Sequence, residues 1–250
     1  LPARVKFSVE LAAAIALCAA GIRIETLGLT GDLSVHFSYA LTVLWVVGVT
    51  NAVNLSDGLD GLAAGISTIA CGVIAILAIH GGNTIMAILS LALVGSLSGF
   101  LVFNFNPARI FMGDCGSLFL GYIIAASSVM CMTKSSALVG LALPALALGI
   151  PIFDTLFSML RRFLERRSLF APDRSHFHHK LLDMGLRQRH AVLAIYLLTT
   201  LFTGLGLFMM VCRELSALIV LGCILTLLVL VFRVVGAVRI IRIGRIMKAG

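Results

Sequence analysis

One stretch decides the fold: residues 39–79 have the sequence YALTVLWVVGVTNAVNLSDGLDGLAAGISTIACGVIAILAI. It contains two apolar runs, each close to the roughly 20 residues that a membrane-spanning helix needs. Between them lie four polar side chains at intervals of three residues: Asn51, Asn54, Asp57 and Asp60. Ionisable groups at the margin of a span cost about 2–3 kcal/mol unless they are paired or hydrated. The stretch therefore predicts a functional site at the end of a membrane helix.

The composition extends this interpretation to the whole chain. Hydrophobic residues make up 60% of the 250 residues and charged residues only 12%, against about a quarter charged in soluble domains. The apolar runs are unbroken, whereas barrel strands would alternate. The sequence predicts an all-α, polytopic membrane helix bundle in a single domain over 1–250, with about eight spans at 7–22, 39–56, 61–79, 84–103, 116–133, 137–156, 190–211 and 215–235.

The distribution of basic residues predicts a topology. The net charge of +8 could indicate nucleic-acid binding, but with the N-terminus placed inside, sixteen of the nineteen Lys and Arg residues fall on the cytoplasmic side. That is a strong positive-inside bias. We therefore expect a multi-pass protein of the inner (plasma) membrane, with no nucleic-acid partner and an active site facing the cytoplasm. The connections placed on that face are 51–60, 104–115 and 157–189.

Three further features are the start of the chain, an arginine-rich loop segment and the cysteines. The chain begins Leu1-Pro-Ala-Arg4 without an initiator Met or a signal-peptide pattern, which suggests a piece of a longer chain. At the start of the cytoplasmic loop 157–189, the segment from Leu156 to Phe170 alternates apolar residues with arginines. This pattern is typical of an amphipathic helix on anionic headgroups. The six cysteines form no metal or disulfide pattern and are interpreted as packing residues.

The polar side chains of the opening stretch favour a hard cation. Residues three apart on a straight helix drift by about 60° per step, so a turn at Gly58 is needed to gather them. Carboxylate and amide oxygens suit Mg²⁺ or Mn²⁺ better than zinc. The alternative is a capped helix end, with Asn54 or Asp57 capping the span that starts near Gly61.

A second polar cluster has the sequence NFNPARIFMGDCGS at residues 104–117. Pro107 ends the preceding helix, while Gly113 and Gly116 bracket Asp114 on a tight turn. Beside Asn54, this carboxylate would complete a metal site with open positions for phosphates and water. The alternative is that Asp114, or Ser117, is only a helix cap.

A third cluster, DRSHFHHK, occupies residues 173–180. Its three imidazoles and two cations form an oxyanion clamp. The rival interpretation is a zinc site. It is disfavoured because His178 and His179 are adjacent and no cysteine joins them.

The three clusters, in this order, closely resemble those of the polyprenyl-phosphate N-acetylhexosamine-1-phosphate transferases. The stretches that carry the resemblance are NAVNLSDGLDGLAAG, NFNPARIFMGDCGSLFLG and PDRSHFHHKLLDMG. It implies transfer of a sugar 1-phosphate from a UDP-sugar to polyprenyl phosphate at the cytoplasmic face, with Mg²⁺ and release of UMP. The spaced His-x-His-His pattern resembles the WecA/TagO branch, which uses UDP-N-acetylglucosamine, whereas the MraY branch carries three consecutive histidines.

The resemblance also implies residue roles. It makes Asn54 and Asp114 metal ligands, and places Asp57 and Asp60 in the catalytic and nucleotide pocket. Phe111 would stack on uracil, with Asn104 lining the same pocket and Asn51 also on the substrate side. The remaining implied residues, His176, His178, His179 and Arg174, would hold the pyrophosphate or the sugar.

One motif of the family is absent. An adjacent Asp-Asp pair is expected shortly before a segment like Arg4-Val-Lys-Phe7, and the chain begins just after that position. We therefore expect residues 1–250 alone to be inactive in transfer.

Two other classes of protein stay open: a transporter with an intramembrane anion site and a non-catalytic remnant. The oligomeric state is also open, with a homodimer among the arrangements considered.

Overall fold

The computed structural model describes residues 2–26, 33–131, 137–164 and 177–212, together with the single residues 222 and 229. The regular secondary structure of these ranges is helical. The helices, in chain order, are α1 (Ala3–Ala19), α2 (Val35–Ser56), α3 (Leu62–His80), α4 (Thr84–Asn104), α5 (Gly113–Met130), α6 (Ala137–Ala147), α7 (Gly149–Leu164), α8 (Phe177–Asp183) and α9 (Gln188–Cys212).

Most of the expected spans are present as helices. Within the described ranges, five helices are long and apolar enough to cross a membrane, namely α2, α3, α4, α5 and the part of α9 from Gln188 to Phe208. The bent pair α6 and α7 makes a sixth if it counts as one span. The all-helical membrane class is thus confirmed, while the count of eight was approximate. The expected span at 215–235 lies outside the described residues, apart from the single residues 222 and 229.

The sixth expected span differs from the prediction. The sequence predicted one continuous helix at 137–156, but the segments Leu141–Ala147 and Gly149–Met159 meet at 79°. Pro151 has no N–H to donate to the carbonyl of Ala147, and Gly149 weakens the helix at the same point. The arginine-bearing segment after Leu156 is therefore not a separate helix but the continuation of α7, as far as Leu164.

Helix α3 lies at the centre of the bundle. It is the most extensively buried of the span candidates, whereas α4 is mostly exposed. Large side chains with almost no exposed surface, including Ile66, Ile74, Ile124 and Ile195, fill the space between α3 and its neighbours. Exposed apolar side chains such as Ile85 and Val102 on α4 suit contact with lipid. The bundle therefore holds α3 rigidly, and the polar turn that precedes α3 is fixed with it.

Helices α2 and α5 approach each other closely at a glycine. A Cβ atom on Gly121 would lie 2.6 Å from Cα of Thr50. Only glycine permits this separation, as is common where membrane helices pack backbone to backbone. Because Asn54 follows Thr50 by one turn and Ser117 precedes Gly121 by one turn, the contact brings the ends of the two helices together.

Candidate active site

Four polar segments meet at one end of the bundle: the end of α2, the turn before α3, the loop of residues 105–112 (called loop 105–112 below) and the start of α5. The turn depends on Gly61, whose φ of 83° is left-handed and favours glycine. The Tyr196 hydroxyl of α9 donates a hydrogen bond to the Gly61 carbonyl. A Cβ on Gly65, one turn into α3, would lie 2.0 Å from that hydroxyl oxygen. Helix α9 is therefore packed directly against the turn.

The first and second sequence clusters are in contact. Nδ2 of Asn54 lies 3.2 Å from Oδ1 of Asp114 and 2.8 Å from Oγ of Ser117. Ser117 in turn donates to the Gly113 carbonyl at 3.0 Å. With the amide nitrogen directed at these groups, the carbonyl oxygen of Asn54 is the atom that suits a cation. The structure thus brings together the two residues that the resemblance implied as metal ligands.

A lysine that the sequence interpretation assigned only to topology belongs to this site. The ammonium of Lys6, on α1, forms an ion pair with Oδ2 of Asp114. The Asp114 side chain is 58% exposed and that of Lys6 24% exposed, so the pair lies at the mouth of the site. A signal existed in the sequence: Lys6 and Glu10 are four residues apart on one helix, so they share one face.

Glu10, on the same face of α1 as Lys6, accepts a hydrogen bond from Asn51. The Asn51 side-chain amide donates to the Glu10 carboxylate and, at 2.9 Å, to the Val47 carbonyl. Glu10 is buried and Asn51 half-buried. Asn51, predicted on the substrate side, thus lies one turn deeper in the bundle than Asn54, and its amide is occupied between α1 and α2.

Asp57 follows α2 directly and is half-buried. Its backbone N–H donates to the backbone carbonyl of Asn54 at 3.1 Å. Burial raises the pKa of the Asp57 carboxyl to about 6, and the negative charge of Asp114 adds to the rise, while a hydrogen bond from the Gly113 backbone opposes it. A carboxyl with a pKa of about 6 is mostly ionised at neutral pH and can accept a proton there. Asp57 therefore has the properties of a proton-transferring group.

Asp60 faces loop 105–112. Its Oδ2 accepts hydrogen bonds from Nδ2 of Asn106 at 2.9 Å and from the backbone N–H of Ala108 at 3.1 Å. Sequence reasoning placed Asp60 in the catalytic and nucleotide pocket but did not identify its partner Asn106. In the structure, this carboxylate oxygen fixes the loop to the turn before α3.

Asn104 also connects loop 105–112 with the turn before α3. It is buried, its Oδ1 accepts from the Gly61 N–H at 3.1 Å, and its Nδ2 donates to the Ile110 carbonyl at 2.9 Å. Phe111, which follows Ile110 in the chain, has 75% of its surface exposed. The arrangement presents an exposed aromatic ring on a loop that the side-chain amides of Asn104 and Asn106 hold in place.

The histidine cluster is described only in part. Arg174 and His176 lie outside the described residues. His178 and His179 belong to α8, which packs against α9, but their side chains are outside the described part. The expected clamp stays a prediction.

The donors present fit a hard divalent cation. Asp114 already pairs with one cationic group, Lys6, and the Asn54 amide lies beside it. No group of three His, Cys, Asp or Glu side chains suited to a metal occurs in the part of the chain that the structure describes. A cation held by Asn54 and Asp114 would therefore take its other ligands from water and substrate phosphates, as Mg²⁺ commonly does.

Fold and site together define a helical membrane protein with a cluster of Asn, Asp and Lys side chains at one end of its bundle. Residues 1–132 match the model of glycosyl transferase family 4, and the chain belongs to this family.

Named relatives align with most of this chain. The "Probable undecaprenyl-phosphate N-acetylglucosaminyl 1-phosphate transferase" of Bacillus subtilis is 47% identical over 81% of this chain and 58% of its own length. The decaprenyl-phosphate N-acetylglucosaminephosphotransferase of Mycobacterium tuberculosis is 36% identical over 79% and 55%. The phospho-N-acetylmuramoyl-pentapeptide-transferase of Oceanobacillus iheyensis is 39% identical over 69% and 51%. The chain therefore spans little more than half the length of these relatives.

Proposed function

We propose that the protein transfers N-acetylglucosamine 1-phosphate from UDP-N-acetylglucosamine to a polyprenyl phosphate, releasing UMP. The observation that carries the proposal is the contact of Asn54 with Asp114, which follows the exposed Phe111 by three residues in the chain. Relatives whose names specify this phosphotransfer on undecaprenyl and decaprenyl phosphate support it. The chemistry would take place in the plasma membrane, at its cytoplasmic face, which the positive-inside pattern of the sequence favours for this end of the bundle.

The donor sugar nucleotide would lie over loop 105–112. Phe111 offers a flat apolar surface to uracil, and aromatic contacts of this kind add about 0.5–1.5 kcal/mol beyond burial. The pyrophosphate would then extend toward Asn54 and Asp114. A divalent ion held there, Mg²⁺ or Mn²⁺, would supply neutralisation of the charge on the phosphoryl oxygens.

The protein's own groups would contribute position and charge. Phosphoryl transfer asks little covalent chemistry of the enzyme, so alignment of the two phosphates is the main task. Lys6 adds a positive charge at the mouth of the site, where two anionic substrates have to approach each other. Asp57, whose pKa lies near 6, is suited to take up the proton of the attacking phosphate.

A second candidate is transfer of phospho-N-acetylmuramoyl-pentapeptide. The named relative from Oceanobacillus iheyensis favours it, with 39% identity. The spaced histidines of this chain favour the N-acetylglucosamine branch instead. Competition between UDP-N-acetylglucosamine, UDP-N-acetylgalactosamine and the UDP-muramoyl pentapeptide on the full gene product would identify the preferred donor.

The deciding experiment is an assay of UMP release. The full gene product that contains these residues is solubilised in detergent and incubated with UDP-N-acetylglucosamine, undecaprenyl phosphate and Mg²⁺. We expect release of UMP that requires both the lipid and the metal. Release without lipid would indicate a hydrolase, and no release from folded protein would contradict the proposal and favour the transporter or the non-catalytic remnant.

A further inference from the structure

We propose that Asn106 is a positioning residue for the nucleotide end of the site, acting by fixing loop 105–112 between the turn before α3 and the start of α9. The inference rests on the proposed function, because it concerns how the loop presents Phe111 to a uridine nucleotide. It assigns a role to three residues that the motifs did not single out: Asn106, Gln188 and Arg189.

The contacts of Asn106 engage both N–H donors of its side-chain amide and its backbone carbonyl. Its Nδ2 donates to Oδ2 of Asp60 at 2.9 Å and to Oε1 of Gln188 at 3.0 Å. Its backbone carbonyl accepts from Nε of Arg189 at 2.7 Å. An amide group has two N–H donors, so both are engaged. One half-buried residue thus connects three elements that are distant in sequence.

The rest of the loop is held from the other side. The Arg109 N–H donates to the Phe103 carbonyl at 2.7 Å, and Asn104 holds the Ile110 carbonyl. The backbone before Phe111 therefore has a bond to α4, to the turn before α3 and to α9. A binding group fixed before its ligand arrives loses less entropy on binding. Because Phe111 is exposed on this bonded backbone, the bonds affect how well it receives a planar base.

The two acceptors are both satisfied by the amide at position 106. The carboxylate of Asp60 and the carbonyl of Gln188 both need a donor, so Asn106→Ala removes two bonds. Asn106→Asp offers acceptors to acceptors and places a second carboxylate beside Asp60, which is repulsive. Asn106→Asp should therefore be at least as harmful as Asn106→Ala, although it preserves the shape of the side chain.

The test measures UDP binding by calorimetry and steady-state kinetics on the full gene product. For Asn106→Ala we expect the Kd for UDP and the KM for UDP-N-acetylglucosamine to rise about tenfold, in line with the loss of a bond to a charged group. The KM for undecaprenyl phosphate and kcat should stay within about twofold, because the loop would act on the nucleotide end.

Arg189→Ala provides an independent variant. It releases the same loop through the backbone carbonyl of residue 106, so it should give the same rise in Kd and KM. The double variant with Asn106→Ala should be less than multiplicative, since both changes free one element. Arg189→Lys keeps a donor and should recover part of the loss. Arg187→Ala, at an exposed position two residues earlier, makes the same charge change and should leave Kd unchanged.

Several outcomes would overturn the inference. An unchanged Kd for UDP in both Asn106→Ala and Arg189→Ala would show that the loop needs no fixing. A parallel loss in kcat and in the KM for lipid would show general destabilisation instead. If the wild type binds UDP but releases no UMP, the proposed function fails while the Kd comparison still decides the role of Asn106. If the wild type does not bind UDP, both proposals are wrong.

Discussion

At the scale of single residues, Asp114 is the residue on which the proposed metal site depends most. It contacts Asn54 through one carboxylate oxygen and Lys6 through the other. Asp114→Asn keeps the shape but removes the negative charge, so it should abolish transfer in the full gene product without unfolding it. The measurement is UMP release over a Mg²⁺ titration, with a monodisperse elution profile as the check on folding. Wild-type kcat with an unchanged titration would contradict the role proposed for Asp114.

Lys6 gives a second residue-scale prediction. Its ammonium competes with any metal ion for Asp114, so Lys6→Met should tighten Mn²⁺ binding, by up to roughly fivefold if the exposed pair contributes ~1 kcal/mol. Electron paramagnetic resonance of Mn²⁺ measures the change directly. Arg4→Met, at an exposed position on the same helix, removes an equal charge and should have a smaller effect. Weaker binding in Lys6→Met than in Arg4→Met would show that the lysine supports the metal site.

At the scale of helices, the close packing of α2 on α5 controls the distance between Asn54 and Asp114. A Cβ on Gly121 would lie 2.6 Å from Cα of Thr50, so Gly121→Ala must separate the helices. We expect a lower thermal unfolding midpoint, corresponding to about 1–3 kcal/mol for overpacking, together with loss of transfer.

The chain contains a matched control for that change. Gly48 lies inside α2, the partner helix of Gly121, but a Cβ there would meet nothing within 4 Å. Gly48→Ala should be neutral or stabilising by up to ~1 kcal/mol, because alanine is the better helix former. Equal thermal shifts for the two variants would mean that the contact between α2 and α5 does not depend on the absence of a side chain.

Helix positions were largely predictable, because apolar runs of span length determine them. The bend between α6 and α7 was not, although Pro144, Gly149 and Pro151 were visible in the sequence. A hydropathy pattern registers the apolar character of a segment but not the direction of its axis. The sequence also predicted the residue types of the site, but not which acceptor each donor would meet.

The partners of Asp60 and Asn104 illustrate that limit. Both residues were predicted to lie in the substrate pocket, and the structure shows their side chains bonded to loop 105–112 and to the start of α3. Spacing alone cannot separate a residue that contacts a ligand from one that supports a loop, since both are polar and both lie near the site. Lys6 was missed for a related reason, because its charge was explained by topology.

At the scale of the whole molecule, the arrangement predicts opposite accessibility for the two ends of the bundle. His80 ends α3 at the far end from the site, and Arg187 precedes α9 near the site; both are exposed. In a background without the six cysteines, His80→Cys should react with an impermeant thiol reagent in intact cells. Arg187→Cys should react only after permeabilisation, as the positive-inside pattern implies. The reverse result would invert the proposed topology.

Residues 65 and 196 are expected to vary together among natural sequences. Any side chain at 65 would overlap the Tyr196 ring, with 2.4 Å between a Cβ and Cε1, while the ring's hydroxyl holds the Gly61 carbonyl. A lineage could therefore accept alanine at 65 only after a smaller residue had replaced the tyrosine. The order of the two substitutions matters, because the intermediate with alanine and tyrosine together would be overpacked. In an alignment, this would appear as covariation between a helix interior and a distant aromatic position.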